Sequence, residues 1–479
     1  MNLLRESLLT LGMLLLTHTG FSQVKKDTLK QEGKKDTIKL SVAEAQKYAL
    51  ENNRSILNAN LDVEIAKKKV WETTAIGLPQ VSAKGSFQYM PTLSPVVNEL
   101  NQFGQLPVWM WNVNNTLYPL DNNPNFNNHG APSPTYTPLN PNDFKWNVTA
   151  DLTVSQLLFS GSYLVGLQSA KVYKNLSVLN QAKSKQDVLE SVTNSYFNVL
   201  IARENSYILD STYLNLSKTL SDMQTMNKQG FIEETDVDQM QITLSNVKTS
   251  LELIKRQQEI AEKLLKLQLG IDLNKPILLT DDLKMLVNGL ILDKLLLSDM
   301  VMENSVNYQM VDAQVKVSEL LLKLHKAEFL PDLAAFYQHE KAFNTKAFTF
   351  NPPDLIGVSL NIPIFGSGAK LSRVGQAKRE LIKAQNNKSQ AVDGLWVDFY
   401  TSKSALLNAW DSYNTASNNL QLAKKIYNRS LIKYTNGMLS NIELTQVQNQ
   451  FLNAQSNYYT AIQSLITSKN KLEKMLSKN

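Results

Sequence analysis

Two hydrophobic periods alternate along this chain, and the succession of them is written twice. Met240, Leu244, Val247, Leu251, Ile254, Ala261 and Leu265 step by four and three residues, interrupted at Gln258. Val447, Phe451, Ala454, Tyr458, Ala461, Leu465, Leu472 and Met475 keep the same register, interrupted at Ser468. Leu209, Tyr213, Leu216, Leu220 and Met223 add a matching stripe upstream. Alternating steps of four and three give a 3.5-residue repeat, the seam of a left-handed coiled coil. Elsewhere the period is two. Val81, Ala83, Gly85, Phe87 and Tyr89 alternate with Ser82, Lys84, Ser86 and Gln88. Trp146, Val148, Ala150, Leu152 and Val154 alternate with Asn147, Thr149, Asp151, Thr153 and Ser155. Ile356, Val358, Leu360, Ile362 and Ile364 do the same, and Leu333, Ala335 and Tyr337 open a partner.

These periods predict helices over about Ser41–Ile76, Ser162–Lys228 and Ala369–Thr435. Ser41 with Glu44 forms a capping-box signature at the first start. The two later helices contain no proline and span about 100 Å each at 1.5 Å per residue. A helix of that length needs a partner along it. Gly230 and Gly437 supply the turns at which each long helix folds back as an antiparallel hairpin.

The duplication extends to the connections. Leu50-Glu51-Asn52 precedes Pro79 at the separation at which Met302-Glu303-Asn304 precedes Pro331. A strand exit Phe159-Ser160-Gly161 recurs as Phe365-Gly366-Ser367-Gly368, and Gly230…Asp236 recurs as Gly437…Glu443. The expected organisation is a first repeat over 40–269 (strands 81–89 and 146–158 around a long loop 91–145) and a second over 300–479 (strands 332–341 and 354–365). A linker over 270–299 joins them, with Leu278, Leu279, Leu283, Leu286 and Leu290 suggesting a small packed belt. Two tandem copies of this content point to a pseudo-symmetric tube wall.

The N-terminus changes the compartment. Arg5 precedes an apolar run Leu8–Leu16 and small, polar residues up to Gln23, which reads as a signal peptide over 1–23. Residues 24–39, with Lys-Lys-Asp-Thr twice, read as a disordered leader. No later run is long enough for a transmembrane helix, so membrane insertion requires a barrel. Strand alternation by itself serves a half-buried soluble sheet equally well. With an export signal and long helices, it favours transmembrane barrel strands, apolar to lipid and polar to the lumen. The loop 91–145 holds nine of the fifteen prolines, with Trp109 and Trp111. Such a loop is out of place in a compact domain and ordinary on the outer face of a barrel. Four amphipathic strands cannot close alone, so the chain is expected to assemble with copies of itself under ring symmetry.

Composition narrows the functions. Net charge is +6 on 479 residues, with Lys and Arg spread along helix faces, so nucleic-acid binding has no support. No cysteine is present, which excludes disulfides, thiolate metal sites and a lipid-bearing N-terminal cysteine. Of four histidines, His18 lies in the signal, His129 in the long loop, and His325 and His339 stand alone in sequence. There is no phosphate loop, zinc motif or triad, so neither an enzyme nor a cofactor is expected.

The duplicated Leu78-Pro79 and Leu330-Pro331 strand openings, the strand exits and the Gly-plus-acid turns together resemble the TolC family of outer-membrane efflux and export ducts, over about Leu40–Leu476. The resemblance implies a homotrimer with a twelve-stranded barrel in the outer-membrane lipid, continued by a long α-barrel. It also implies docking to a periplasmic adaptor and an inner-membrane efflux pump. Asp236 and Glu443 match family acids that line the narrowed periplasmic entrance, where three copies would form carboxylate rings that favour cations and raise one another's pKa. Both also suit helix starts: Ser440 with Glu443 is a capping box, and Asp236 lies in a first turn. Gln239 and Gln446 depart from relatives that carry a second acid, which argues against strong cation selectivity. Glu233, Glu234 and Asp238 make the first tip acidic and are candidates for adaptor docking. Drug efflux and type I protein secretion use the same duct and stay open. So does a reading of another class, a periplasmic coiled-coil adaptor or scaffold, which leaves the strands unexplained.

Overall fold

A computed structural model describes residues 37–91, 146–290, 292–343 and 352–476. The expected signal peptide, most of the expected leader and most of the loop 91–145 lie outside them. The elements in order are β1 (Ile38–Leu40), α1 (Val42–Asn52), α2 (Arg54–Ala75), β2 (Gln80–Tyr89), β3 (Trp146–Ser160), α3 (Gly161–Lys228) and α4 (Glu234–Leu269). Then follow β4 (Ile277–Leu279), α5 (Leu283–Asn288), α6 (Asp293–Leu296), a 3-10 turn (Met302–Asn304), α7 (Val306–Ala327), β5 (Asp332–Ala342), β6 (Asp354–Asn361), α8 (Ala369–Thr435) and α9 (Asn441–Leu476). No described helix is long and apolar enough to cross a membrane.

Four strands form one antiparallel sheet, β2-β3-β5-β6. Its register sorts the side chains as the alternation requires. Val81, Val154, Tyr337 and Ile356 lie across from one another in a row, and so do Ser82, Thr153 and Gln338. One face is thus mainly aliphatic and aromatic and the other mainly polar, although Leu355 closes the second of these rows. Ile356, Val358 and Leu360 stay 57–81 % exposed in the single chain, so the apolar face is open along β6. Below the sheet α2 packs on α3, α3 on α7, and α7 on α8. The wall therefore repeats the strand order, with α2 and α8 at its edges.

The helical half holds two buried clusters. Near the tips, Leu216, Leu220, Met223, Met240, Leu244 and Val247 meet Ala423, Tyr427, Leu444 and Phe451. Apart from Ala423, Tyr427 and Leu444, these are residues of the 3.5-residue stripes: α3 pairs with α4, α8 with α9, and α9 also lies on α3. The equatorial cluster gathers Val192, Tyr196, Leu200, Leu265, Leu406, Ile462 and Leu465 with the linker residues Leu279 and Leu283. Leu286 and Leu290 pack against it, while Leu278 points to solvent.

Three expectations need correction. The first helix is not continuous from Ser41 to Ile76. Asn53 adopts an extended backbone (φ −64°, ψ 129°), and its Oδ1 accepts from the N–H groups of Ser55 and Ile56 to start α2. The Asn53 amide donates to the Gln268 carbonyl at 2.6 Å, and Gly270 at φ +74° comes so close that a Cβ there would stand 2.3 Å from the Asn52 oxygen. Contact with the end of α4 fixes the break. The leader is ordered at its end, because Ile38–Leu40 pairs in parallel with Ile277–Leu279. Finally, β6 stops at Asn361 rather than Phe365, and β3 runs on to Ser160. Both end level with Asp332, the first residue of β5, since Pro331 has no N–H to extend the ladder.

Candidate functional site: the hairpin tips

Each long helix ends in the same device. Gly230 and Gly437 take φ of +78° and +73°, the left-handed conformation a glycine reaches without strain. The Phe231 N–H then reaches the Met226 carbonyl at 3.0 Å, and the Met438 N–H reaches that of Lys433 at 2.9 Å. These bonds satisfy the last carbonyls of α3 and α8 and reverse the chain.

The returning helices start differently. Before α9, Ser440 forms the full capping box. Its backbone N–H and hydroxyl donate to Glu443 Oε2 at 3.1 and 3.0 Å, and its Oγ accepts from the Glu443 N–H at 3.3 Å. Those donors, helped by the nearby Lys433 charge, hold the Glu443 carboxyl below the usual carboxylate range. Before α4, Glu233 occupies the cap position without capping, and its carboxylate accepts from the Thr235 hydroxyl at 3.2 Å. Glu233, Glu234 and Asp238 are exposed, and Asp236 is half-buried.

Asn441 joins the two tips. It is 3 % exposed, and its side-chain amide donates to the Asp236 main-chain carbonyl at 2.7 Å. Burial and the Asp236 carboxylate push the Tyr434 phenol up to about 12. Gln239 and Gln446 line an open groove of about 910 Å³ between α4 and α9, with Thr243, Asn246, Thr445 and Asn449. Every polar group lining it is an uncharged amide or hydroxyl, as the two glutamines lead one to expect. The first tip therefore carries the charge and the groove none.

Some features of the tips escaped sequence reasoning. Phe231, Met438 and Ile442 are 64–72 % exposed, so each tip offers apolar surface. Gln448 is fully buried with neither amide atom bonded, and Asn441 Oδ1, Thr445 Oγ1, Gln455 Oε1 and the Tyr427 hydroxyl are also unpaired. The heptad spacing of Asn441, Gln448 and Gln455 was the available signal. This is the face that α9 turns to the first hairpin, where Gln455 donates to Asn205 at 2.8 Å. The isolated histidines also have partners: His325 Nδ1 lies 2.9 Å from Glu328, and His339 Nδ1 lies 2.8 Å from Asp354.

Comparison with known proteins follows the architecture. The sequence pattern of the family described as outer membrane efflux protein matches residues 137–270 and 297–478, one stretch in each repeat. Among solved structures, the chain resembles the CmeC outer membrane channel of Campylobacter jejuni at 17 % identity and a TM-score of 0.69, covering 91 % of this chain and 85 % of that one. CusC, at 15 % identity and a TM-score of 0.69, covers 94 % and 96 %. The outer membrane protein VceC of Vibrio cholerae, at 13 % and 0.66, covers 91 % and 96 %. No curated protein matches the chain by sequence. The structural likenesses carry the fold, and the family match over both repeats carries the membership. The chain belongs to the outer membrane efflux protein family, so its sheet sits in the outer membrane and its helices extend into the periplasm.

Proposed function

We propose that three copies of this chain form the exit duct of a tripartite efflux system, through which small molecules pass from an inner-membrane pump to the exterior. The observation that carries the reading is the pair of unfinished edges. Among the described residues, β2 and β6 each have one unpaired side, and the wall helices below them carry exposed apolar side chains. On α2, Leu57, Leu61 and Ile65 form a stripe at steps of four, 44–61 % exposed; on α8, Leu371 and Ile382 are exposed. A free strand edge beside a free apolar stripe is met by a second copy. Three four-stranded sheets give twelve strands, a closed barrel with the polar face inward.

The tips then form the periplasmic entrance, with Asp236 and Glu443 on its rim and Gln239 and Gln446 one turn further along. In this reading the exposed acids Glu233, Glu234 and Asp238, beside Phe231, meet a periplasmic adaptor through mixed polar and apolar contact. Purified protein in a planar bilayer tests the duct. Discrete conductance steps from a trimeric species are expected; a well-folded monomer without conductance would refute it.

A further inference from the structure

The outward face of the sheet is, among the described residues, apolar apart from Gln156 near the helices and one corner at the far end. Among the described residues, its only ionisable side chains outside tyrosine are His339, Lys341 and Asp354, all on the β5–β6 hairpin. His339 stands across from Asp354 on one side and Leu152 on the other, and Lys341 stands across from Ala150. Beyond β3 these rows continue as Ala83 and Gly85. Three ionisable groups on a lipid-facing surface require an explanation, because such groups are costly at mid-membrane and mild only near its interfaces.

Barrel strands tilt, so the membrane plane crosses the rows diagonally. The outward apolar residues show this drop. On β2 and β3 they rise to Tyr89 and Trp146, whereas on β6 they begin only at Ile356, in the row of Val81. Phe87, Tyr89 and Trp146 form an edge-to-face cluster, with centroids 5.6 and 5.8 Å apart, of the kind that marks a membrane interface. The corner of β5 and β6 therefore lies at headgroup level. It is the end of the sheet away from the helices, and the helices occupy the periplasm, so the headgroups there belong to the outer leaflet.

Among the described residues, the cation this corner offers is Lys341. The Asp354 carboxylate is already engaged, accepting from the Tyr337 hydroxyl at 2.7 Å with His339 Nδ1 at 2.8 Å. Lys341 Nζ lies 5.6 Å from the centroid of the Phe343 ring and has no carboxylate partner among the described residues. Its ammonium matches an anion carried by lipid. We propose that this corner seats the phosphate of an outer-leaflet lipid headgroup, with Lys341 supplying the charge and the His339–Asp354 pair its polar floor.

This inference rests on the barrel reading above, and its test separates the two. The full-length protein, assembled and held in detergent, is titrated by native mass spectrometry with diphosphorylated lipid A, with the same lipid stripped of phosphate, and with inorganic phosphate as competitor. Wild type is expected to prefer the phosphorylated lipid. Lys341→Gln should weaken that binding about fivefold, the usual worth of one basic residue at a charged membrane surface. Lys248→Gln, on α4 far from the sheet, should leave it unchanged. Equal binding of both lipids, wild-type binding by K341Q, or displacement by inorganic phosphate at equal concentration would overturn the proposal. Failure of wild type to assemble would instead refute the barrel, whereas a trimeric, conducting K341Q without altered lipid binding sinks only this inference.

Discussion

Asn441 on the second hairpin donates its side-chain amide to the main-chain carbonyl of Asp236 on the first, at 2.7 Å. The acceptor is backbone, so no substitution at Asp236 removes it, and the link is held by Asn441 alone. The carbonyl keeps its bond within α4, so removing the donor forfeits one side-chain hydrogen bond, at about 0.5–1.5 kcal/mol. Asn441→Ala should therefore loosen the tips relative to each other. Faster amide exchange over residues 230–245 and 437–450, with larger conductance steps, is the expected result. Unchanged exchange would show that the hairpins are held elsewhere.

Glu443 has a pH signature. Its folded pKa is depressed by the Ser440 N–H and hydroxyl, so the capping box adds stability above the unfolded carboxylate value. That contribution is lost as pH falls through the depressed folded value. Amide protection at Ser440–Leu444, exchange corrected for its intrinsic pH dependence, should be steady near neutrality and fall in acid. Glu443→Gln retains an acceptor without a titrating group, so it should flatten the profile. An acid response that persists in E443Q would locate the titration in another group.

The face taken by each strand residue was legible in the sequence because alternation fixes it, whereas the register was not, since a slip of two residues leaves every facing unchanged. Val81, Val154, Tyr337 and Ile356 each fall on the apolar set of their strand, and the structure places them in one row. The tip turns were legible because glycine at a helix end has one common use. The break at Asn53 was not. Nothing next to Asn53 forbids a helix; the cause is the Gln268 carbonyl and Gly270, distant in sequence. The polar seam of α9 was hidden for a related reason. An amide at a heptad position reads as a solvated residue until the first hairpin covers it, as happens at Gln448.

Gln448 gives a prediction of opposite sign to Asn441. Both its amide atoms are buried without partners, and such a group costs about 1–3 kcal/mol relative to a satisfied one. Methionine has similar length and no polar hydrogen. Gln448→Met should thus stabilise the hairpin pair and raise the midpoint of thermal unfolding monitored at the tips. A lowered midpoint would mean that Gln448 has partners in the assembled protein.

Two glycines separate conformational strain from collision. Gly437 and Gly270 both have positive φ, but nothing lies within 4 Å of a Cβ at Gly437, whereas one at Gly270 meets the Asn52 oxygen at 2.3 Å. Gly437→Ala should cost about 1 kcal/mol, the left-handed penalty for a residue with a Cβ. Gly270→Ala adds a backbone clash and should cost clearly more. Denaturant unfolding of the two variants in parallel makes the comparison; equal losses would indicate that α1 moves aside.

The lumen offers a charge test independent of the tips. On the inward face Asp151 stands directly across from Glu340 on one side and Lys84 on the other. Like charges facing across a ladder are unfavourable, so one acid of the row is left without compensation by Lys84. In the proposed trimer, threefold repetition would place a negative excess at one level of the barrel, and a negative wall favours cations. Glu340→Gln should move the reversal potential in a salt gradient toward anions, and Lys84→Gln should move it toward cations. Opposite shifts from neighbouring strands cannot come from a general loss of structure. If neither variant shifts the potential, these side chains do not face the permeation path, and the assignment of the sheet's polar face to the lumen fails with them.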